Sequence, residues 1–352
     1  MFTTKYCRIA GLILIAIALL RLPVQFGMLR AQFQLLAESG VTLLLAAYIF
    51  RINKWLGLFL ALTVISSIYP IFGRWSYTAR NAIVYGLLWF VLIWHVKDSV
   101  HILNALCVIV LVNVLFATMQ LKGLDPYKIF TFGFMTSETA YPVGLMANKN
   151  ILSTVIAFGL PAFLRPKWIL FSWIPLIGLF VASSVGGTLA TLGGLLFYGF
   201  MKLKTTAHKV LALLASFNFL MYYLIFCDLP TVGERLDGWY QGWLLFKQNW
   251  IFGCGIGHAK LIMKGLSAKP TFIQMHNEFL QAVMEMGIIV IPVFIGYFYF
   301  IYKGRRNLIP ATALIIIILN SCVNFPFHIG TTAIIAVTWM ALFQKEAVCL
   351  KV

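Results

Sequence analysis

Residues 99–119 read SVHILNALCVIVLVNVLFATM, an apolar run with no lysine, arginine, aspartate or glutamate. An α-helix of about 20 such residues is long enough to cross the hydrocarbon core of a bilayer. The apolar residues follow one another without alternation, which favours a helix over a strand of a membrane barrel. This run therefore predicts a membrane-spanning helix.

Runs of the same kind recur along the chain, in which 61% of the residues are hydrophobic and 11% are charged. A soluble domain averages about 45–50% hydrophobic and about 25% charged residues. This chain therefore cannot cover a soluble core with polar surface. We predict an all-α, polytopic integral membrane protein in which residues 1–352 form a single membrane domain. About 12 transmembrane helices are predicted, at 9–26, 33–50, 55–72, 80–96, 99–119, 149–164, 168–184, 186–203, 209–227, 280–302, 308–321 and 328–345.

The basic residues are scattered between the hydrophobic runs, although the net charge is +17 at pH 7. If the N-terminus is cytoplasmic, 15 of the 27 Lys and Arg residues fall on very short connections and the other 12 on far longer segments. Such a difference in density follows the positive-inside rule of membrane proteins. We therefore expect contact with membrane lipids and no nucleic-acid partner, and we place both termini in the cytoplasm.

Two predicted outer segments, at about 120–148 and 228–279, are too long to be simple connections. The second is a large outer loop rich in Trp and Gly residues, a composition that argues against disorder. Large apolar residues recur within it at the helical spacing i, i+3, i+4, i+7, i+8, namely Leu236, Trp239, Tyr240, Trp243 and Leu244. This pattern predicts an amphipathic helix at the membrane interface, although an aromatic belt would also explain most of the tryptophans.

Two further features of this loop could contact a substrate. Arg235 precedes the predicted helix beside Glu234 and Asp237, and its guanidinium could donate two hydrogen bonds to a phosphate. The sequence GCGIGH at 253–258 has alternating glycines, which predict a tight turn with close backbone approach. It follows no β-strand, which argues against a dinucleotide-binding turn. His258, at the end of the turn, is a weaker candidate for the site.

The sequence His276-Asn277-Glu278 lies at the start of the predicted span 280–302. Asn277 or His276 could cap this helix, whose positive end would keep the imidazole neutral. A neutral imidazole at the outer edge of the membrane is a candidate general base for a hydroxyl group. The competing interpretation is a polar residue that anchors the helix among the lipid headgroups.

Other polar residues could extend a positively charged outer surface. Asn148, Lys149 and Asn150 lie at the start of the sixth predicted span and supply helix caps, backbone donors and a charge that suit an anion. An ordinary helix cap is the alternative interpretation. Arg74 and Arg80 lie on another outer loop with aromatic residues, where they either add to this surface or only anchor it.

The six cysteines show no CxxC pair and no other metal-ligand spacing. Cys227, Cys254 and Cys322 all fall toward the outer side, where a disulfide could form, and no pairing can be inferred from their positions. The sequence therefore predicts neither a zinc site nor a disulfide framework.

Three stretches in the second half of the chain form a series of helix start, glycine turn and histidine motif. They read ANKNILSTVIAFGLP (147–161), WLLFKQNWIFGCGIGHAK (243–260) and HNEFLQAVMEMGIIVIP (276–292). Together they resemble the bacterial O-antigen ligase and polymerase superfamily, with its Asn-x-Asn helix start, its Trp-containing helix before a glycine turn, and its His-Asn-(Asp/Glu) signature. The resemblance covers about 140–300.

The resemblance implies that His276 is the catalytic histidine and that Arg235 holds a pyrophosphate. We expect the following residues to bind substrate around them: Asn148, Lys149, Asn150, Arg74, Arg80, Trp239, His258 and Glu278. One departure matters. Family members usually carry Ser-Arg-Gly before the eighth span, whereas this chain has Val185 in the sequence Ser-Ser-Val-Gly-Gly and no arginine.

The resemblance further implies a glycosyltransferase of the bacterial inner membrane, with its active site facing the periplasm and with no metal or cofactor. The donor would be a glycan on undecaprenyl pyrophosphate. The favoured acceptor is lipid A–core, as in an O-antigen ligase, and a polymerase that uses another lipid-linked repeat unit is the close alternative.

The rival from another class is a transporter or flippase of lipid-linked glycans. It predicts ionisable residues near the middle of the bilayer and discontinuous helices in paired halves. Glu38 and Glu285 are the acids that could lie within predicted spans, and each is nearer a span end or the candidate site. The sequence therefore favours the transferase.

Overall fold

The computed structural model describes residues 99–124, 142–146, 148–205, 232–259 and 275–349. Within these ranges every regular element is a helix, which confirms the all-α prediction for the described part of the chain. The α-helices are α1 (Ser99–Leu121), α2 (Lys149–Gly159), α3 (Trp173–Ala182), α4 (Val185–Lys202), α5 (Val232–Gln248), α6 (Glu278–Met286), α7 (Ile291–Gly304), α8 (Leu308–Ser321) and α9 (Gly330–Cys349). Short 3₁₀ helices lie at Leu160–Leu164, Ile169–Phe171, Ile288–Val290 and Pro326–His328.

One described helix, α1, is by itself long and apolar enough to cross a membrane. Shorter apolar helical segments run over Lys149–Leu164, Ile169–Ala182, Ile288–Gly304, Leu308–Ser321 and Thr331–Gln344. The predicted spans at 9–26, 33–50, 55–72, 80–96 and 209–227 lie outside the described residues. The total of about 12 transmembrane helices stays a prediction.

Helix α2 lies at the centre of the packed helices, since every residue from Leu152 to Gly159 is buried. Trp339 of α9 is fully buried and donates an indole hydrogen bond to the carbonyl oxygen of Phe158 at 2.7 Å. On another side α4 and α8 approach closely, because a Cβ on Gly194 would lie 2.2 Å from the Ile316 side chain. Small residues at such helix contacts are typical of membrane bundles.

The packed helices have one polar end and one basic end. At the polar end, the start of α2 contacts the start of α4, where Ser184 donates a hydrogen bond to Asn150. At the basic end, Lys202, Lys303 and Arg305 lie over the rings of tyrosines on the same helices. Long basic side chains of this kind keep their charge in water while their stems cover apolar surface. The candidate residues described below lie at the polar end.

The continuous helix that was predicted at 280–302 is wrong. Helix α6 ends at Met286, Gly287 has φ +73°, and α7 begins only at Ile291. The break follows from the close approach of residues 250–258, which contain the glycine turn. A Cβ on Gly287 would lie 2.0 Å from the carbonyl oxygen of Ile251. The neighbouring N–H of Ile288 donates to the carbonyl oxygen of Trp250 at 2.8 Å, so the loop supplies the bond that a continuous helix would have made.

Candidate active site

His276 is held in a backbone conformation that is rare for a residue with a side chain. Its φ is +49°, in the left-handed region, and it directly precedes the cap of α6. The side chain of Asn277 forms that cap by accepting a hydrogen bond from the N–H of Leu280 at 3.0 Å. Left-handed non-glycine residues are strained and cluster at functional sites. The half-buried His276 is therefore a strong candidate for chemistry.

Two neighbours fix the position of His276 in space. The ring of Phe325 meets the imidazole edge to face, with 4.8 Å between the ring centroids. On the other side, the indole N–H of Trp239 donates to the carbonyl oxygen of Met275 at 2.7 Å. The backbone before His276 is thus held from α5, and its imidazole contacts the turn between α8 and α9.

Helix α5 confirms that the Trp-rich segment is helical, and a face rich in glycine packs against the rest of the protein. Gly238, Gly242 and Leu245 are buried against α6 and its approach, whereas Leu236, Tyr240 and Trp243 are more than half exposed. The reason is close packing at Gly242, where a Cβ would lie 2.4 Å from the sulfur of Met284. Trp239 lies between the two faces, and its indole N–H is engaged with Met275.

Arg235 lies inside the first turn of α5, which begins at Val232, and not ahead of the helix as predicted. Arg74 and Arg80 lie outside the described residues.

Glu278 joins the start of α6 to the turn that precedes α9. One carboxylate oxygen accepts from the backbone N–H of Phe327 at 2.6 Å, and the other lies 3.0 Å from Nδ1 of His328. The structure thus engages both oxygens of Glu278 within the protein. No local sequence pattern indicates this role for His328, because its partner lies 50 positions away.

Two further side chains of α6 extend this network. Nε2 of Gln281 lies 2.9 Å from Nε2 of His328 and 3.1 Å from a carboxylate oxygen of Glu285. Glu285 is buried and also accepts a hydrogen bond from the backbone of Gly257. Residues 281 and 285 are one helical turn apart, which places both on the same face of α6.

The glycine turn at 253–258 docks onto the end of α6. The N–H groups of Cys254 and Gly255 donate to the carbonyl oxygens of Met284 and Glu285 at 3.0 and 2.9 Å. Gly253, Gly255 and Gly257 all have positive φ, and a Cβ on Gly253 would lie 2.3 Å from the backbone of Glu285. The close backbone approach predicted for these glycines is therefore directed at the carbonyls that end α6.

Two side chains of the turn are enclosed by this docking. His258 is 1% exposed, so its side chain is enclosed by the protein. Burial raises the pKa of the Cys254 thiol to about 12, and the nearby Glu285 carboxylate adds to the shift. Cys254 is therefore protonated at neutral pH and is a poor nucleophile. Cys254 and Cys322 are both free thiols, and Cys227 lies outside the described residues.

The Asn-Lys-Asn stretch forms a helix cap and one connection across helices. Oδ1 of Asn148 accepts from the N–H groups of Asn150 and Ile151 at 2.8 and 3.4 Å, an ordinary cap of α2. Oδ1 of Asn150 accepts from the hydroxyl of Ser184 at 2.8 Å. The stretch that lacks the expected arginine at Val185 is thereby held against α2.

Residues 150–295 match the family described as O-antigen ligase. This stretch is therefore similar to O-antigen ligases. The match confirms the resemblance to the ligase and polymerase superfamily, a family of membrane proteins in lipopolysaccharide biosynthesis, and indicates a glycosyltransferase-like enzyme. No curated protein sequence gave a significant match to the chain.

The matched segment contains Asn150, Arg235, the glycine turn and His276, whereas Asn324, Phe325 and His328 follow it in the chain. The structure nonetheless packs Phe325 against His276 and His328 against Glu278. The turn between α8 and α9 therefore completes the candidate site from outside the matched segment.

Proposed function

We propose that this chain transfers a glycan from undecaprenyl pyrophosphate to the hydroxyl of an acceptor sugar at the periplasmic face of the inner membrane. The favoured activity is O-antigen ligase, with lipid A–core as the acceptor. The observation that carries this proposal is the strained His276, anchored by Trp239 and Phe325 inside the segment that matches O-antigen ligases.

In the proposed reaction His276 takes the proton of the attacking hydroxyl. The hydroxyl oxygen then forms a bond to the anomeric carbon of the donor sugar, and the bond from that carbon to the pyrophosphate oxygen breaks. Undecaprenyl pyrophosphate leaves with the electron pair, and Arg235 stabilises its growing negative charge. Because pyrophosphate is a good leaving group, this reaction requires neither a strong acid nor a metal.

Glu278 has a positioning role in this proposal. Both of its carboxylate oxygens bind the 326–328 turn, and that turn carries Phe325 against the imidazole of His276. A fixed general base is productive because only the aligned geometry reaches the hydroxyl proton. The Glu278–His328 pair would therefore act on catalysis through the placement of His276.

A deletion strain that is complemented with the wild-type gene tests the proposal and separates ligase from polymerase. Lipopolysaccharide on a gel and the lipid-linked glycan pool would be compared with and without the gene. Loss of a ligase leaves bare lipid A–core while polymer accumulates on the lipid carrier. Loss of a polymerase instead leaves core that carries a single repeat unit, and an unchanged glycan pattern would contradict both activities.

A further inference from the structure

Four polar side chains in or next to α2, α4 and α8 meet at the polar end of the packed helices. We name them the amide cluster: Asn150, Ser184, Asn320 and Asn324. Ser184 donates to Oδ1 of Asn150 at 2.8 Å. The amide nitrogen of Asn324 lies 3.4 Å from Oδ1 of Asn320, which also accepts from the hydroxyl of Thr154 at 3.3 Å. The cluster therefore joins α2, the start of α4 and the end of α8.

The cluster holds more hydrogen-bonding capacity than its members use on one another. Nδ2 of Asn320 is fully buried and has no hydrogen-bond partner among the described residues. Nδ2 of Asn150 donates no hydrogen bond within the same part of the chain, since its contact with Ser184 uses Oδ1. Each amide nitrogen carries two N–H donors, and leaving such donors unmet in a buried place is costly. Asn320 lies inside the packing. The donors left for a ligand with several hydroxyl groups are therefore the amide of the half-buried Asn150 and the second N–H of Asn324.

The cluster contains no charged side chain. It also abuts the sequence Ser-Ser-Val-Gly-Gly, because a Cβ on Gly186 would lie 2.6 Å from Nδ2 of Asn324. Val185, where the resemblance led us to expect an arginine, is thus flanked by neutral amide and hydroxyl groups. Such groups donate and accept hydrogen bonds without charge, which suits sugar hydroxyls better than a diphosphate.

The cluster is continuous with the surroundings of His276. Asn324 directly precedes Phe325, whose ring contacts the imidazole. The Cα atoms of these two consecutive residues are about 3.8 Å apart. Asn150 is half-buried, which leaves an approach to the cluster from the surface. A glycan whose reacting sugar lies at His276 could therefore reach the cluster with a neighbouring sugar residue.

We infer that the amide cluster is a subsite for an uncharged sugar residue of the glycan, with Asn324 and Asn150 donating to its hydroxyl groups. This inference rests on the proposed glycosyltransferase function. It assigns recognition of the glycan to neutral residues at the place where the expected arginine is missing.

The test measures the binding of two lipids to the full-length protein in nanodiscs. One probe is the polyprenyl-diphosphate glycan extracted from cells in which this gene is deleted, and the other is bare undecaprenyl diphosphate. The variants are Asn324→Asp, which keeps the shape of the side chain, and Ser184→Ala. Thr312→Val serves as the control, because Thr312 is a buried threonine of α8 that bonds only to its own helix at Leu308.

We expect Asn324→Asp and Ser184→Ala to weaken binding of the glycan-bearing lipid by about tenfold, the effect of losing one buried hydrogen bond. Binding of bare undecaprenyl diphosphate should stay at the wild-type level in both variants, which also shows that they are folded. An equal loss for both lipids, or no loss for either, would overturn the subsite. Failure of the wild-type protein to bind either lipid would instead overturn the proposed function, and the subsite with it.

Discussion

Two segments that look alike in sequence fold differently. Residues 149–164 and 278–304 are both apolar and both contain a glycine followed shortly by a proline. Gly159 has φ −81°, and the chain continues from α2 directly into a 3₁₀ helix. Gly287 has φ +73° and separates α6 from α7.

The difference lies in what each glycine contacts. Gly159 faces the side chain of Val110 within the helical core, whereas Gly287 faces the backbone of Ile251 in the segment 250–258 that contains the glycine turn. A docking loop supplies hydrogen bonds to the carbonyls at the end of α6, so the helix can stop inside an apolar segment. The break at Gly287 therefore marks the place where the glycine turn docks beside the candidate site.

The largest effect is expected when the break itself is disturbed. Gly287→Ala should destabilise the protein by about 3 kcal/mol or more, because a strained φ adds to overpacking against a backbone carbonyl. Gly159→Ala should cost about 1–2 kcal/mol, because it crowds the valine side chain alone. Thermal unfolding of the two detergent-solubilised variants, monitored by size-exclusion chromatography of heated samples, measures both losses of stability.

Gly199→Ala is the matched control for this pair, since nothing lies within 4 Å of a Cβ at that position. It should leave the unfolding temperature unchanged or raise it slightly, as alanine favours a helix. Equal tolerance of alanine at positions 287 and 159 would show that the break does not depend on the docked loop.

The second prediction concerns the network that the turn between α8 and α9 adds to α6. His328→Ala should lower glycan transfer by about tenfold, since it frees the carboxylate of Glu278 and loosens Phe325 beneath His276. His328→Asn should restore most of the activity, because the asparagine amide can donate to Glu278 from nearly the same place as Nδ1. Rates of transfer in purified membranes would show this, and equal activity of the two variants would contradict the positioning role.

The start and end of several helices could be predicted from the sequence, because those signals are local. The apolar run predicted at 99–119 forms α1, the run at 308–321 coincides with α8, and Asn277 caps α6 as one of two proposed residues. The roles of His276 and Arg235, proposed from their residue chemistry and from the resemblance, stay predictions.

The rest depends on contacts between residues distant in sequence. The pairing of Glu278 with His328 and of Ser184 with Asn150 leaves no periodic trace, because the partners lie 50 and 34 positions apart. The break at Gly287 was missed for a similar reason, as apolar continuity says nothing about a loop that docks from the side.

A smaller effect is expected at the other anchor of the site. Trp239→Phe keeps the ring and removes the indole N–H, leaving the carbonyl oxygen of the buried Met275 without that donor, at a cost of about 1–3 kcal/mol. Transfer should fall several-fold, while Trp243→Phe, at an exposed position of the same helix, should leave it unchanged. Thermal unfolding and transfer assays of the two variants make the comparison, and parallel losses would contradict the anchor.

The smallest expected change concerns the reactivity of Cys254. Because burial raises the pKa of its thiol to about 12, the thiol stays protonated and unreactive across pH 7–9, and only stronger alkali would favour the thiolate. Alkylation with iodoacetamide followed by mass spectrometry should find Cys254 unmodified in the native protein and modified after unfolding in SDS. Rapid modification at pH 7 in the native protein would mean that the glycine turn does not enclose it.

The most direct test of the account is the substitution of His276 by asparagine. Asparagine tolerates a positive φ, so His276→Asn preserves the backbone at the start of α6 and removes the imidazole. We predict that the variant folds with wild-type yield. Its rate of glycan transfer from undecaprenyl pyrophosphate should be at least about 100-fold lower, as expected for loss of a general base. Transfer at the wild-type rate by the correctly folded variant would contradict the catalytic role of His276.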